Sequence, residues 1–236
     1  LFNGANSLKL SQIKRYLENF KSDNKKNIYG GLFKIKHKNH FILIDIDKPP
    51  QKKFSKSYQS GPLSFEYFLD GVKIITNSGF GNHISKKVEL LSRLTACQST
   101  LTINETSITK FEKNEMINKV FGNSIQNSFK SFEFSSKNES DIIGCSASNN
   151  GYEKKFGCTH KREIYIDKIN NYLKGTDHIF KAKDGYPIRY AFRFHINPEL
   201  NVIKTISGNS ALIQISKNKS LLFTINNENL EIEKSI

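Results

Sequence analysis

The chain has 236 residues, with 36 lysines and arginines against 22 aspartates and glutamates, for a formal net charge of +14. Hydrophobic residues make up only 37%, yet 18 Phe and 9 Tyr supply bulky core material, so a domain of this length can bury a core without staples. No apolar run approaches the roughly 20 residues of a membrane-spanning helix. The charge points to an acidic partner (polyuronate, sulfated glycan, nucleic acid or anionic lipid) or to drift in a Lys- and Asn-rich composition. Lysine is scattered and no block of five like charges occurs, which argues against nucleic acid. Cys97, Cys145 and Cys158 match no zinc or redox spacing. Buried free thiols are expected, with a Cys145–Cys158 pair as the alternative in an oxidising compartment. The only methionine is Met116 and the chain opens at Leu1, so it reads as a mature or partial product.

Residues 7–20 carry the clearest helical pattern, with Leu10, Ile13, Leu17 and Phe20 three or four apart and Ser7 as the N-cap. Short apolar runs then predict strands over 30–36, 40–45, 64–69, 73–76 and 99–103. Asp70-Gly71, between two of these runs, predicts a two-residue hairpin, and Asn77-Ser78-Gly79 and Asn104-Glu105 predict turns. Helical spacing returns only over 84–95, where Ile84, Val88, Leu91 and Leu94 repeat. Further strands are predicted over 128–135, 142–148, 161–166, 190–196, 211–216, 220–225 and 230–233, with a tight turn at Asn218-Lys219. Many short strands with turn signals, no βαβ alternation and no glycine-rich phosphate loop give an all-β chain: a large antiparallel β-sandwich of stacked sheets with a short N-terminal helix. The expected division is a helical linker over 1–25 and one β-domain over 26–236.

Four segments carry a resemblance. Ser64-Phe65-Glu66-Tyr67 is followed by Asp70-Gly71-Val72-Lys73-Ile74-Ile75-Thr76-Asn77-Ser78-Gly79, and later by Arg93-Leu94-Thr95-Ala96-Cys97-Gln98-Ser99-Thr100-Leu101-Thr102-Ile103-Asn104. Gly151-Tyr152 with His160-Lys161-Arg162-Glu163 comes next, and Arg193-Phe194-His195-Ile196-Asn197-Pro198 is last. In this order they resemble the C-terminal β-sheet domain of the heparinase II/III family of polysaccharide lyases. Leu1-Phe2-Asn3-Gly4 resembles the linker that follows the helical toroid in bacterial relatives.

The resemblance implies a partner, an N-terminal α/α toroid of the same parent protein, and an acidic polysaccharide cleaved by β-elimination in the cleft between the two. A base removes the proton beside a uronate carboxylate, an acid protonates the leaving oxygen, and the carboxylate must be neutralised. Family habit points to the periplasm, with the cytoplasm left open. The family's zinc ligands map onto Gln59, Asn77 and Gln98, and Ser57 stands where a catalytic His is expected. Neutral amides are poor zinc ligands, so no cofactor is expected. Three amides suggest instead a hydrogen-bond network; the alternative is that these positions have become merely structural.

Tyr58, beside Gln59, is the candidate proton-transfer group, with Gln59 and Gln98 beside it in the catalytic set. Arg93 is a candidate for gripping a carboxylate or sulfate, or for a structural ion pair with a carboxylate such as Glu66. His160 and Arg162, two apart on a strand, share a face and are candidates for lining the cleft. His83 lies in a Gly/Asn loop within reach of substrate. His195 reads as a structural histidine. The competing function class is a non-catalytic carbohydrate-binding or structural β-module.

Overall fold

The structure, a computed structural model, describes residues 27–130, 132–182, 188–226 and 228–234. The helix predicted over 7–20 lies outside the described residues.

The first sheet grows antiparallel in chain order: β1 (Ile28–Tyr29), β2 (Leu32–His37), β3 (His40–Asp45), β4 (Phe65–Leu69) and β5 (Val72–Thr76). Alternation drives it. In β2, Phe33 and Ile35 turn inward, and in β3 His40, Ile42 and Ile44 do. The Asp70-Gly71 hairpin forms as predicted, with both residues at positive φ (52° and 80°), the backbone twist a two-residue turn demands. Asn104 and Glu105 turn in the same way, closing a bridge between Ile103 and Thr106.

The chain then passes through α1 (Lys86–Ser92), β6 (Leu101–Ile103), β7 (Lys110–Phe111), α2 (Glu115–Phe121) and β8 (Ile125–Asn127). Ser85 caps α1 by accepting from the Val88 amide. The helix predicted over 84–95 is thus real but shorter, and its apolar stripe is largely solvent-facing, with Ile84, Leu90 and Leu91 exposed.

The second sheet is an antiparallel meander of β9 (Phe132–Asn138), β10 (Ile142–Tyr152), β11 (Cys158–Asp167) and β12 (Tyr172–Lys181), with α3 (Glu153–Phe156) between β10 and β11. β11 alternates without a break: Cys158, His160, Arg162, Ile164 and Ile166 are buried. β13 (Tyr190–Phe192) pairs with β6, and β14 (His195–Ile196) adds to the β5 edge of the first sheet. β15 (Asn201–Lys204), β16 (Ser210–Ser216) and β17 (Lys219–Thr224) close the order as a third sheet.

Two sequence expectations need correction. The single strand predicted over 190–196 is split, because Arg193 and Phe194 pass between two sheets. Residues 230–233 form no strand.

The main core lies between the first and second sheets, where Ile35, Ile42, Ile44 and Ile74 meet Cys145, Ala147, Ile164 and Ile166, with Ile213 of the third sheet packed in. A second cluster of Leu101, Ile103, Ile108, Phe129, Tyr152 and Cys158 packs around β6. Gly144 marks how closely β10 and β11 approach: a Cβ there would lie 2.0 Å from the Ile164 carbonyl oxygen. All three cysteines are free thiols, Cys145 and Cys158 buried and Cys97 half-buried.

Candidate functional site

The motif segments converge at the β5–β14 margin of the first sheet. Thr76 of β5 pairs with His195 of β14. The organising residue is Ser99, fully buried just before β6. Its amide donates to Asn77 Oδ1 at 2.8 Å and its hydroxyl to the Thr76 carbonyl at 2.6 Å, while that hydroxyl accepts from the His195 amide at 2.9 Å. The strand pairing and the segment carrying Gln98 are thereby locked together.

Gln98 is 2% exposed. Its Nε2 donates to the Ser92 carbonyl at 2.9 Å and, at a longer 3.4 Å, to Gln59 Oε1. Gln59 comes from the long connection between β3 and β4. Gly61 permits that approach, since a Cβ there would lie 2.9 Å from Gln98 Cγ. Gln59 and Gln98 therefore meet directly, whereas Asn77 reaches the cluster through the Ser99 backbone.

This donor set does not fit zinc. Gln59 Oε1 and Asn77 Oδ1 already accept hydrogen bonds, and all three groups are neutral. Among the described residues no three His, Cys, Asp or Glu side chains are grouped to hold a metal ion.

Tyr58 turns its hydroxyl inward. The hydroxyl is buried without an aligned partner, and burial, followed by the charge of Asp45, pushes its pKa well above the ordinary phenol range. Such a group holds its proton and disfavours the phenolate a general base needs. Nearby, burial pushes the Asp45 carboxyl up to about 7.

Arg93 is fully buried. It spends Nε on the Tyr58 carbonyl and Nη2 on the Ser55 carbonyl, both at 2.9 Å, and lies 4.0 Å over the Phe111 ring. The ion pair with Glu66 does not form; Glu66 pairs with Lys73 at 2.9 Å. Arg93 thus pins the connection that carries Tyr58 and Gln59.

His160 and Arg162 share a face, as their spacing predicts, but it is the buried face. Arg162 is 1% exposed. Nε and Nη2 grip Asp177 at 2.7 and 3.0 Å, and Nη1 donates at 2.8 Å to the carbonyls of both Leu63 and Ser99. His160 Nε2 donates to Asp177 Oδ1 at 2.7 Å, because an ionised carboxylate can only accept. Burial holds the His160 pKa below its ordinary value; Arg162 and His160 outweigh the burial of Asp177 and hold its carboxyl well below the carboxylate range. The three form a buried ionic clamp. From the second sheet it holds the two segments that present Gln59 and Gln98.

His83 is solvent-exposed, in a loop tied to the site by the Gly81 amide, which donates to Ser92 Oγ at 3.0 Å. His195 is half-buried, and its Nε2 donates to the Ala96 carbonyl at 3.0 Å, two residues from Gln98. The structural histidine of the sequence reading therefore sits at the site's rim. Asp177 and Ser99 were missed. Asp177 is directly opposite Arg162 across β11 and β12, a signal that correct strand pairing would have exposed.

Residues 22–236 match the family described as Heparinase II/III-like, C-terminal. The chain belongs to that family. The heparan sulfate lyase HepC from Pedobacter heparinus has a similar structure, with a TM-score of 0.68 at 14% identity over 94% of this chain and 35% of that one. Heparinase III is similar at a TM-score of 0.57 and 13% identity, over 81% of this chain and 27% of that one. The chain therefore spans about a third of the length of these lyases. No curated protein matches it in sequence.

Proposed function

We propose that this family domain forms the sheet-side wall of a polysaccharide-lyase cleft for an acidic, uronate-bearing glycan. The domain spans 26–236, and an α/α toroid of the same parent protein completes the cleft. The observation that carries the reading is the convergence of Gln59, Asn77 and Gln98 at one sheet margin, clamped from behind by Arg162.

The amide edge supplies neutral hydrogen-bond partners. Amide N–H groups at the edge neutralise part of the uronate carboxylate's charge, which makes the neighbouring proton easier to remove. The rigid backing keeps the edge in register during that transfer. The buried Tyr58 is ill-suited to take the proton, so acid and base come from His83 or from the toroid. Asp177 keeps Arg162 in place and is a positioning residue.

A non-catalytic carbohydrate-binding module is the second reading. It is favoured by the loss of every charged ligand at the three metal positions. Incubating the full parent protein with uronate-containing polymers distinguishes the two. The lyase reading expects ultraviolet absorbance of an unsaturated product; flat traces across such polymers would leave the module reading.

A further inference from the structure

The second sheet ends on β12, whose neighbour on one side is β11 and with whose other side no described strand pairs. The free edges of the first sheet, β1 and β14, are two residues long, and β9 ends in Ser135-Ser136-Lys137-Asn138. β12 differs from all three. It pairs with β11 over ten residues without a bulge, holds no proline, and carries Tyr172, Leu173, Ile179 and Phe180. A long, regular edge with apolar side chains is a template for another strand.

The register says which groups the edge offers. The Ala182 amide donates to the Gly157 carbonyl, so the even-numbered residues of β12 bond to β11. The backbone N–H and C=O groups of Leu173, Gly175, Asp177 and Ile179 therefore turn to the open side, where no backbone partner meets them among the described residues. Gly175, in the middle, is exposed, and Tyr172 and Phe180, near the ends, are exposed as well.

The strand is also complementary to itself. With Thr176 on a twofold axis, Tyr172 stands opposite Phe180 of a second copy, Leu173 opposite Ile179, and Asp177 opposite Gly175, which has no side chain to meet it. Lys174 meets His178, whose Nε2 lies 3.7 Å from Glu163 Oε2, so a carboxylate offsets the cation. Moving the axis to Asp177 brings two carboxylates together, and moving it to Gly175 sets Asp177 against Leu173. An axis between two residues turns the buried face of one copy against the outer face of the other.

We infer that β12 docks on β12 of a second copy, antiparallel about Thr176, which joins the two second sheets into one continuous sheet. Nothing in this pairing depends on catalysis.

Sedimentation equilibrium of the 236-residue chain between about 1 μM and 1 mM tests it. The mass should rise from 27.0 kDa towards twice that value. Added salt should tighten the association, because it screens two copies that each carry +14. Tyr172→Lys with Phe180→Lys replaces exposed side chains and should weaken it at least about tenfold. Thr176→Cys reads the register. With oxidised glutathione as the oxidant, it should link two copies through a disulfide, since its directly opposite, non-hydrogen-bonded counterpart lies within reach. Lys174→Cys, which faces His178, should not, and the wild-type chain controls for the three native thiols. A mass constant at 27.0 kDa across the range, a double lysine variant that associates as tightly as wild type, or cross-linking in Lys174→Cys and not in Thr176→Cys would overturn the assignment.

Discussion

Ser99 separates two polar clusters built on opposite terms. Behind it, Arg162, Asp177 and His160 form a charged, buried knot in which the guanidinium is saturated by a carboxylate and two carbonyls. In front, Gln59, Asn77 and Gln98 are neutral and linked by few bonds, one as long as 3.4 Å. The contrast shows where rigidity and adaptability are placed. Of the two clusters only the rear one carries charge, where partner geometry is fixed, and the neutral one is held more loosely, by a hydrogen bond long enough to be exchanged for another.

Removing one member of the knot tests this most severely. Asp177→Ala strands a buried guanidinium and should cost about 3–5 kcal/mol in urea unfolding. A loss below about 1 kcal/mol would mean that water already shares the Arg162 charge.

Acidity should separate the clusters next. His160 and Asp177 both have pKa values lowered in the folded chain. Their stabilisation is complete above the unfolded values, near 6.5 and 3.8, and is lost as pH falls below them. Asp45, raised to about 7 by burial, has the opposite sign: its contribution is full below about 3.8 and fades as pH rises through 7. Replacing it with Asn should flatten that limb by on the order of 2 kcal/mol, since the group keeps some contact with water. Unfolding free energies of Asp45→Asn and His160→Gln across pH 4–8 should therefore diverge from wild type in opposite directions. Parallel curves would contradict the clamp's charge state.

At the junction, Ser99→Ala deletes two hydroxyl hydrogen bonds and should cost about 2 kcal/mol while broadening the His195 and Asn77 resonances. In front, Gln98→Ala should cost only about 1 kcal/mol, independent of pH, because no ionised group is unpaired.

Much of the fold was legible. Short apolar runs over 30–36, 40–45 and 161–166 announce strands, and Asp-Gly between apolar runs announces its hairpin. Strand β12 was not, because Gly175, Asp177 and His178 dilute its apolar signal, and its place is set by pairing with β11. The same long-range pairing hid Asp177. The motifs did locate Gln59, Asn77 and Gln98, but sequence spacing cannot separate a cleft-lining arginine from a buried one. Arg93 and Arg162 were offered as substrate groups, and the structure places both inside, on backbone carbonyls 35 to 99 residues away and, for Arg162, on Asp177. For Arg162 the warning was that Ile164 and Ile166 follow it on the same face of its strand.

The central claim is that the parent works through a neutral, metal-independent amide edge. Its most direct test is product absorbance from the full parent protein on a uronate polymer, with and without a chelator, for wild type and for Gln98→Ala. The account predicts unsaturated product from wild type that chelation leaves unchanged, and a loss of at least about tenfold in Gln98→Ala at nearly wild-type stability. Product abolished by the chelator, or undiminished in Gln98→Ala, would contradict it.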